Sequence, residues 1–519
     1  MYITQGLKRA VQISANGIAT INGNRQRTWL EFSQRIAQLS GAFQKLGLSP
    51  GGRVAILSFN SDRYLEAYYA VPWANGVIVP LNVRLAPPEL IFMLNDSGSE
   101  ILIIDENFKA MLAAFASQLT TVKHIIYAGE GIAPGKTFDY ETLLADASAI
   151  TDAERGGDKV AGIFYTGGTT GRPKGVMLTH DNIVINAMSW TMGVQYNDET
   201  VYLHSSPMFH LGDGQANCEV TMMAGTHAFV PRFDPQGVLE AIQNYKVTCC
   251  TLVSTMVNLL ANYPNVRNYD LTSLKTIIYG AAPMPEAVFV KAKGVFPNVN
   301  FIQGYGMTET APGIAILEDK YHAFEGPLAG KVSSVGQPLY SLEIKIVAPD
   351  DTELPRGVVG EIIVRGPNVM KGYWNRPEET AHALRNGWMH TGDACYMDED
   401  GFLFLVDRYK DMIKSGGENV FSIEVENAIY QHPAVSMCAV IGIPDEKWGE
   451  TVHALVVLKP DQAVTEQAII QHCRSLIAGY KCPRSVEFRQ EPLPISGAGK
   501  IMKAKLREPY WQDRERRIA

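Results

Sequence analysis

The sequence predicts an α/β chain in two unequal parts: a large unit with substantial parallel sheet and a β-rich segment, then a small α+β unit. Three observations carry this. Helical and strand-like spacings of apolar residues alternate from Thr28 to Tyr127. After about residue 340 short strands with turn signals take over. A run of alternating charge, Asp407-Arg408-Tyr409-Lys410-Asp411, then sets off a final segment with strands and helices of its own.

Element by element, Thr28 and Glu31 form a capping box ahead of Phe32, Ile36, Leu39, Phe43 and Leu46. Their spacing of four, three, four, three is that of an amphipathic helix, and Gly47 follows in the position that ends one. Arg53–Phe59, Ile101–Ile104 and Lys123–Tyr127 read as strands of an α/β core. The apolar stretch Ala67–Val83 is broken by Pro72, Asn75, Pro80 and Asn82, so it reads as buried core and not as a membrane span. Glu343–Val347, Gly360–Arg365 and Gly401–Val406 are the short strands of the β-rich segment. In the last unit Ser422 is expected to cap a helix, Met437–Ile443 and Val452–Leu458 to be strands, and a helix to run from Glu466 to Ile477.

Composition excludes several function classes. The chain has 519 residues, 46% apolar and 19% charged, with a formal charge of −8. Such a charge gives no general field for nucleic acid, and the basic ending Arg514-Glu515-Arg516-Arg517 is too short to supply one. Met1–Ser14 lacks the apolar core of a signal peptide, and no transmembrane segment is expected. The seven cysteines are odd in number, scattered, and never at CxxC spacing, which argues against a zinc site or disulfide framework. Buried thiols in a reducing cytoplasm are expected.

The strongest motif is Tyr165-Thr166-Gly167-Gly168-Thr169-Thr170-Gly171-Arg172-Pro173-Lys174-Gly175. Its glycines let backbone N–H groups approach phosphate, its threonines offer hydroxyls, and Lys174 offers charge. It is not a Walker A loop, because Pro173 precedes the lysine and Val176-Met177-Leu178 continues as a strand. A phosphate-gripping loop between strands is expected. Gly47-Leu48-Ser49-Pro50-Gly51 spells a nucleophile elbow but runs helix, turn, strand, the reverse of the order that hydrolase chemistry needs. In Gln303-Gly304-Tyr305-Gly306-Met307-Thr308-Glu309-Thr310 the aromatic ring can stack on a base, and Glu309 can hold Mg²⁺, which takes one or two carboxylates with phosphate oxygens and water. Trp388-Met389-His390-Thr391-Gly392-Asp393 is weaker alone, since Thr-Gly-Asp is a common turn.

Taken in order, these segments resemble the adenylate-forming superfamily of acyl-CoA synthetases, peptide-synthetase adenylation domains and firefly-type luciferases. Nearest in look are the fatty acyl-CoA and 4-coumarate–CoA ligases. The signatures are Tyr165–Gly175, Tyr305–Glu309, Thr391–Asp393, Asp407–Asp411, Lys414–Val420 and Pro494–Lys500, spread over essentially the whole chain. Two departures are Gly167 where serine is usual and Ala498 where threonine is common. The resemblance implies a large domain over 1–408, built of stacked sheets with helices plus a β-rich subdomain. It implies a mobile C-terminal domain over 409–519, with a hinge near Lys410.

It also implies a reaction: an ATP- and Mg²⁺-dependent joining of a carboxylic acid to coenzyme A through an acyl-adenylate, with AMP and pyrophosphate released. Thr166, Gly167, Gly168, Thr169, Thr170, Gly171 and Lys174 would hold phosphates, Thr308 would touch phosphate, and Glu309 would bind Mg²⁺. Gln303 and Gly304, with Gly280, Ala281 and Ala282, would wall the nucleotide, and Tyr305 would pack on adenine. Asp393 would accept from the ribose with help from Arg408, while Lys414 and Asn419 stay near the nucleotide. Lys500 would be the adenylation lysine, its ammonium bridging carboxylate and α-phosphate. His210 would gate or orient the carboxylate and thiol approach. Rotation about Lys410 would bring Ser415, Gly416 and Gly417 to the coenzyme A tunnel.

His210, Val253, Met256, Tyr279, Gly280, Gly304, Gly306 and Ala311 are the acyl-pocket candidates. A medium or long aliphatic chain is the first choice of acid and an aryl acid such as a hydroxycinnamate the second. Asp213, Gln215 and Asn217 could bond ring substituents or face solvent. Loading of a carrier protein, luciferase chemistry and a non-catalytic nucleotide-binding module are the rival readings, and a homodimer stays open.

Overall fold

The computed structural model describes residues 1–166, 173–280, 284, 286–408, 411–415, 418–445, 447–495 and 501–512, apart from the side chains of 287, 407, 408, 418 and 419. Among these residues the strands form four sheets of nine, eight, four and five strands. In the nine-stranded sheet Asn300–Gly306, Thr276–Gly280, Cys249–Val253, Val201–His204 and Thr226–Phe229 run parallel, side by side. The eight-stranded sheet is parallel through Val160–Thr166, Val77–Pro80, Arg53–Leu57, Ser99–Ile104 and His124–Tyr127; Lys174–Thr179 joins Val160–Thr166 antiparallel, and Gly372–Tyr373 joins Lys174–Thr179 antiparallel at the edge. Strands buried on both faces need unbroken apolar runs, and Ser99–Ile104 is buried along its whole length.

The helix Trp29–Lys45 starts on the capping box of Thr28 and Glu31 and buries Phe32, Ile36, Leu39 and Phe43. Gly47, at φ +79°, takes the left-handed turn that leads into Arg53–Leu57. Ser49 therefore stands before a strand, with its hydroxyl on Glu100, and the elbow-like spelling has no elbow behind it.

The helix Asp62–Trp73 is buried at every position and touches strands of both large sheets. The stretch suspected of being core is core. Charges in it are paired: Arg35 reaches Glu66 at 2.6 Å, and Arg25 reaches Asp62 at 2.8 Å. Arg27 reaches both carboxylates as well, Glu66 at 3.3 Å and Asp62 at 3.7 Å, so each buried carboxylate has more than one arginine.

Glu343–Val347, Gly360–Arg365, Met389–Met397 and Leu403–Arg408 make the four-stranded antiparallel sheet of the expected β-rich segment. The five-stranded sheet of the last unit contains Val435–Asp445 and Gly449–Leu458, covered by Ser422–Tyr430 and Glu466–Arg474. Ser422 is the first helical residue and not the cap; Phe421 holds the cap position without a side-chain bond, and the Ser422 hydroxyl accepts from Lys503 Nζ at 2.5 Å. All seven cysteines are buried and free. Among the described residues no helix is long and apolar enough to cross a membrane.

Burial lowers His180 from the ordinary histidine value to about 3 and His322 to about 4. Nδ1 of His180 accepts from the Ile3 N–H at 3.3 Å, so protonation would add a buried charge. Both groups are depressed in the folded state, so their contribution is complete above about pH 6.5 and is lost as pH falls from there toward 4, at about 1.4 kcal/mol per unit for each. Urea unfolding midpoints should drop across that window, with a shallower slope in His180→Asn. A slope identical in variant and parent would contradict the assignment.

Candidate active site

Val160–Thr166 and Lys174–Thr179 pair antiparallel with Thr166 opposite Lys174, so the glycine–threonine segment joins two strands, not a strand and a helix. Tyr165 at its entrance donates to Asp96 Oδ2 at 2.7 Å; burial, then Asp96, raises the phenol well above its ordinary pKa.

From the other large sheet, the strand Asn300–Gly306 ends in a single turn, Thr308–Thr310, which carries Glu309 into the interior at 7% exposure. Tyr373 donates its hydroxyl to Glu309 Oε1 at 2.9 Å, and the Lys174 ammonium lies 5.2 Å from the centre of the same ring. Among the described residues no three His, Cys, Asp or Glu side chains gather as a metal cage. The buried Glu309 carboxylate fits Mg²⁺, which takes one or two protein carboxylates and completes its shell with substrate phosphates and water.

Thr308 and His210 line one cleft with Pro80, Asn82, Phe164, Tyr165, Phe209 and Leu211, where the strand ends of the two large sheets meet. His210 caps the short helix Leu211–Gly214 and its ring packs 5.4 Å from Phe209. Asp213, Gln215 and Asn217 are all buried, so none faces solvent. Asp213 Oδ2 is 2.6 Å from His204 Nδ1, and Oδ1 accepts from Tyr202 at 3.1 Å. Burial raises the carboxyl of Asp213, on the helix that follows His210, above its ordinary value and lowers His204 below its own.

On the nucleotide side Tyr305 donates to Asp393 Oδ2 at 2.7 Å, which sets the ring beside the carboxylate expected to hold ribose. Strand pairing puts the Arg408 backbone opposite Asp393. Gln303 is buried and accepts from Tyr279 at 3.2 Å.

Parallel register lines up Val253, Gly280 and Gly304 across three strands. A Cβ on Gly304 would stand 2.6 Å from Trp190 Cη2, and one on Gly306 would stand 1.7 Å from the Pro312 carbonyl oxygen, so both positions need glycine. Ala311 is buried at φ +60°, closing the Thr308–Thr310 turn. Tyr279 points to the opposite face, as strand alternation demands. Its hydroxyl is 2.9 Å from His322 Nε2, and it shares a buried cluster with Met256, Leu252 and Phe301. Of the acyl-pocket candidates, Tyr279 and Met256 thus belong to this cluster, and Val253 packs against it. Trp190, from the helix His180–Val194, and Tyr373 are the residues that sequence reasoning missed.

In the last unit Lys414 and Ser415 sit on Ile413–Ser415. The Lys414 backbone N–H donates to Glu450 Oε2 at 3.0 Å, while Ser415 pairs with Glu418 and Gly449. Gly167, Gly168, Thr169, Thr170, Gly171, Ala281, Ala282, Lys410, Gly416, Gly417 and Lys500, with the side chains of Arg408 and Asn419, lie outside the described residues.

The family model described as AMP-binding enzyme matches residues 7–374, and that of the AMP-binding enzyme C-terminal domain matches residues 424–500. A feruloyl-CoA synthase of Amycolatopsis sp is 40% identical over 97% of this chain and 98% of its own. A long-chain-fatty-acid–CoA ligase of Escherichia coli O6:H1 is 34% identical over 96% of this chain and 93% of its own. Among solved structures, the anthranilate CoA ligase AuaEII in complex with anthranoyl-AMP superposes with a TM-score of 0.89 at 25% identity, over 98% of this chain and 97% of that one. With both family models matched and near full-length relatives aligned, the chain belongs to the AMP-binding enzyme family, among the AMP-forming acid–thiol ligases that use ATP, Mg²⁺ and coenzyme A.

Proposed function

We propose that this chain activates an aryl carboxylic acid, of the hydroxycinnamate type, and passes it to coenzyme A. The observation that carries the reading is the Trp190 indole, 2% exposed and packed against Gly304, one of the acyl-pocket candidates. A flat ring can lie along a glycine-lined wall closed by an indole, whereas an extended hydrocarbon chain needs the space the indole fills. The relative at 40% identity, a feruloyl-CoA synthase, supports the same order over the fatty-acid ligase at 34%, which reverses the preference drawn from the sequence alone.

In the first step a carboxylate oxygen of the acid attacks the α-phosphorus of ATP as the bond to pyrophosphate breaks. Lys174 and the loop that precedes it would hold the phosphates, Asp393 would accept from the ribose, and Glu309 would hold Mg²⁺, which when bound would supply charge neutralisation for the departing pyrophosphate. Lys500 bridges the attacking carboxylate and the α-phosphate. In the second step the coenzyme A thiolate attacks the acyl carbon and AMP leaves. His210 faces both approaches from the cleft wall, and the part from 409 onward turns near Lys410 to exchange Lys500 for Ser415, Gly416 and Gly417. Seven buried, free thiols suit a reducing cytoplasm.

Thioester formation across a panel of cinnamic, benzoic and C8–C16 fatty acids tests the substrate class. The aryl acids should lead in kcat/KM, and Trp190→Leu should raise the aliphatic-to-aryl ratio by about tenfold, the value of one or two methylenes in an apolar pocket. A parent enzyme that prefers C12 or longer chains, or a ratio untouched by the substitution in folded protein, would reject the aryl reading.

A further inference from the structure

The segment from Met370 to Trp374 is bonded at one end to the Glu309 turn and at the other to the strand that carries Lys174. The Met370 N–H donates to the Glu309 carbonyl oxygen at 2.8 Å. Gly372 and Tyr373 pair antiparallel with Met177 and Val176, and the Trp374 N–H donates to the Gly175 carbonyl oxygen at 2.7 Å. Glu309 follows a strand of the nine-stranded sheet, while Lys174 opens a strand of the eight-stranded one. Tyr373 is therefore fixed to one sheet by its backbone and bonded to a group of the other by its side chain.

That side chain does two things at once. Its hydroxyl donates to Glu309 Oε1 at 2.9 Å, which stops rotation of the carboxylate, and its ring lies 5.2 Å from the Lys174 ammonium. The tyrosine is held from behind: its N–H donates to Thr380 Oγ1 at 2.9 Å. Gly372, at φ +144°, leaves no room for a Cβ, which would meet Thr380 Cγ2 at 2.7 Å.

We propose that Tyr373 is a positioning residue for adenylation, which aligns the Glu309 carboxylate and the Lys174 ammonium across the junction of the two large sheets. This rests on the reading that Glu309 carries Mg²⁺ and Lys174 carries phosphate. Hydrogen bonds to metal-ligating carboxylates orient them, and their removal commonly costs 10–100-fold in metal affinity or activity. The ring contributes separately, because a cation over an aromatic face is held without any hydroxyl.

The two contributions separate by substitution. Binding of a fluorescent ATP analogue to the full chain, without acid or coenzyme A, is titrated against Mg²⁺ for the parent, Tyr373→Phe, Tyr373→Leu and Glu309→Gln. Tyr373→Phe should need about tenfold more Mg²⁺ for half-saturation, with Mg²⁺-free nucleotide affinity and the KM for acid unchanged. Tyr373→Leu should add a roughly fivefold loss of Mg²⁺-free affinity as the Lys174 contact goes. Single-turnover acyl-AMP formation should slow in both. If Glu309→Gln shifts the Mg²⁺ requirement while Tyr373→Phe does not, the role of Tyr373 is overturned and the reading of Glu309 stands. If Glu309→Gln shifts nothing, that reading fails and takes the proposal with it. A Tyr373→Phe defect that falls equally on acid KM and melting temperature, with no Mg²⁺ shift, would make the residue structural and overturn the proposal.

Discussion

Lys500→Ala is expected to lower acyl-adenylate formation by about 10²–10³-fold while leaving thioester formation from presynthesised acyl-AMP largely intact. In the first displacement two anions, the substrate carboxylate and the α-phosphate, approach one another, and an ammonium between them offsets repulsion that grows along the path. In the second a thiolate approaches an activated acyl carbon and AMP departs, so that ammonium is no longer needed at the reacting centre. Burst-phase quench of labelled acyl-AMP measures the first step, and coenzyme A added to supplied acyl-AMP measures the second. An equal loss in both would remove Lys500 from its assigned role and leave it a structural or coenzyme A-binding residue.

Glu309→Gln is expected to cost on the order of 10²–10³-fold in adenylation at saturating ATP, with little change in melting temperature. The amide keeps the shape of the carboxylate, and its oxygen can still accept from Tyr373, which now bonds Oε1 at 2.9 Å. On the reading that Glu309 carries Mg²⁺, what is lost is the negative charge that would hold the ion against the phosphates. Raising Mg²⁺ should recover part of the rate, because the defect lies in metal occupancy. A variant with parental rates and parental Mg²⁺ dependence would show that the ion is held by other groups.

Local chemistry made much of the fold legible in the sequence. The capping box at Thr28 and Glu31 and the four-three spacing from Phe32 to Phe43 specify the helix Trp29–Lys45. Pro173 before Lys174 and a strand-like run after it specify a strand–loop–strand connection. Ser422 was read from the same local rules, and its true partner, Lys503, lies 81 residues away, beyond the reach of any capping pattern. Period-two alternation along Thr276–Gly280 sets Tyr279 on the face opposite that of Gly280.

The site was legible where its chemistry is concentrated in motifs, and illegible where it depends on tertiary juxtaposition. Tyr305 and Asp393 belong to separate motifs, and the 2.7 Å bond between them exists only because two sheets meet. Tyr373 stands in a Gly-Tyr-Trp triplet without period or charge, and only its pairing with Val176 brings it to Lys174 and Glu309. Trp190 looks like any apolar residue of the helix His180–Val194 until Gly304 is placed beneath its ring.

The central claim is that acid and ATP react first, before coenzyme A takes part. Incorporation of labelled pyrophosphate into ATP by the intact chain, with Mg²⁺ and without coenzyme A, tests this directly. Exchange should start only when a suitable aryl acid is added. Folded protein that exchanges no label with any acid, or only once coenzyme A is present, would contradict it.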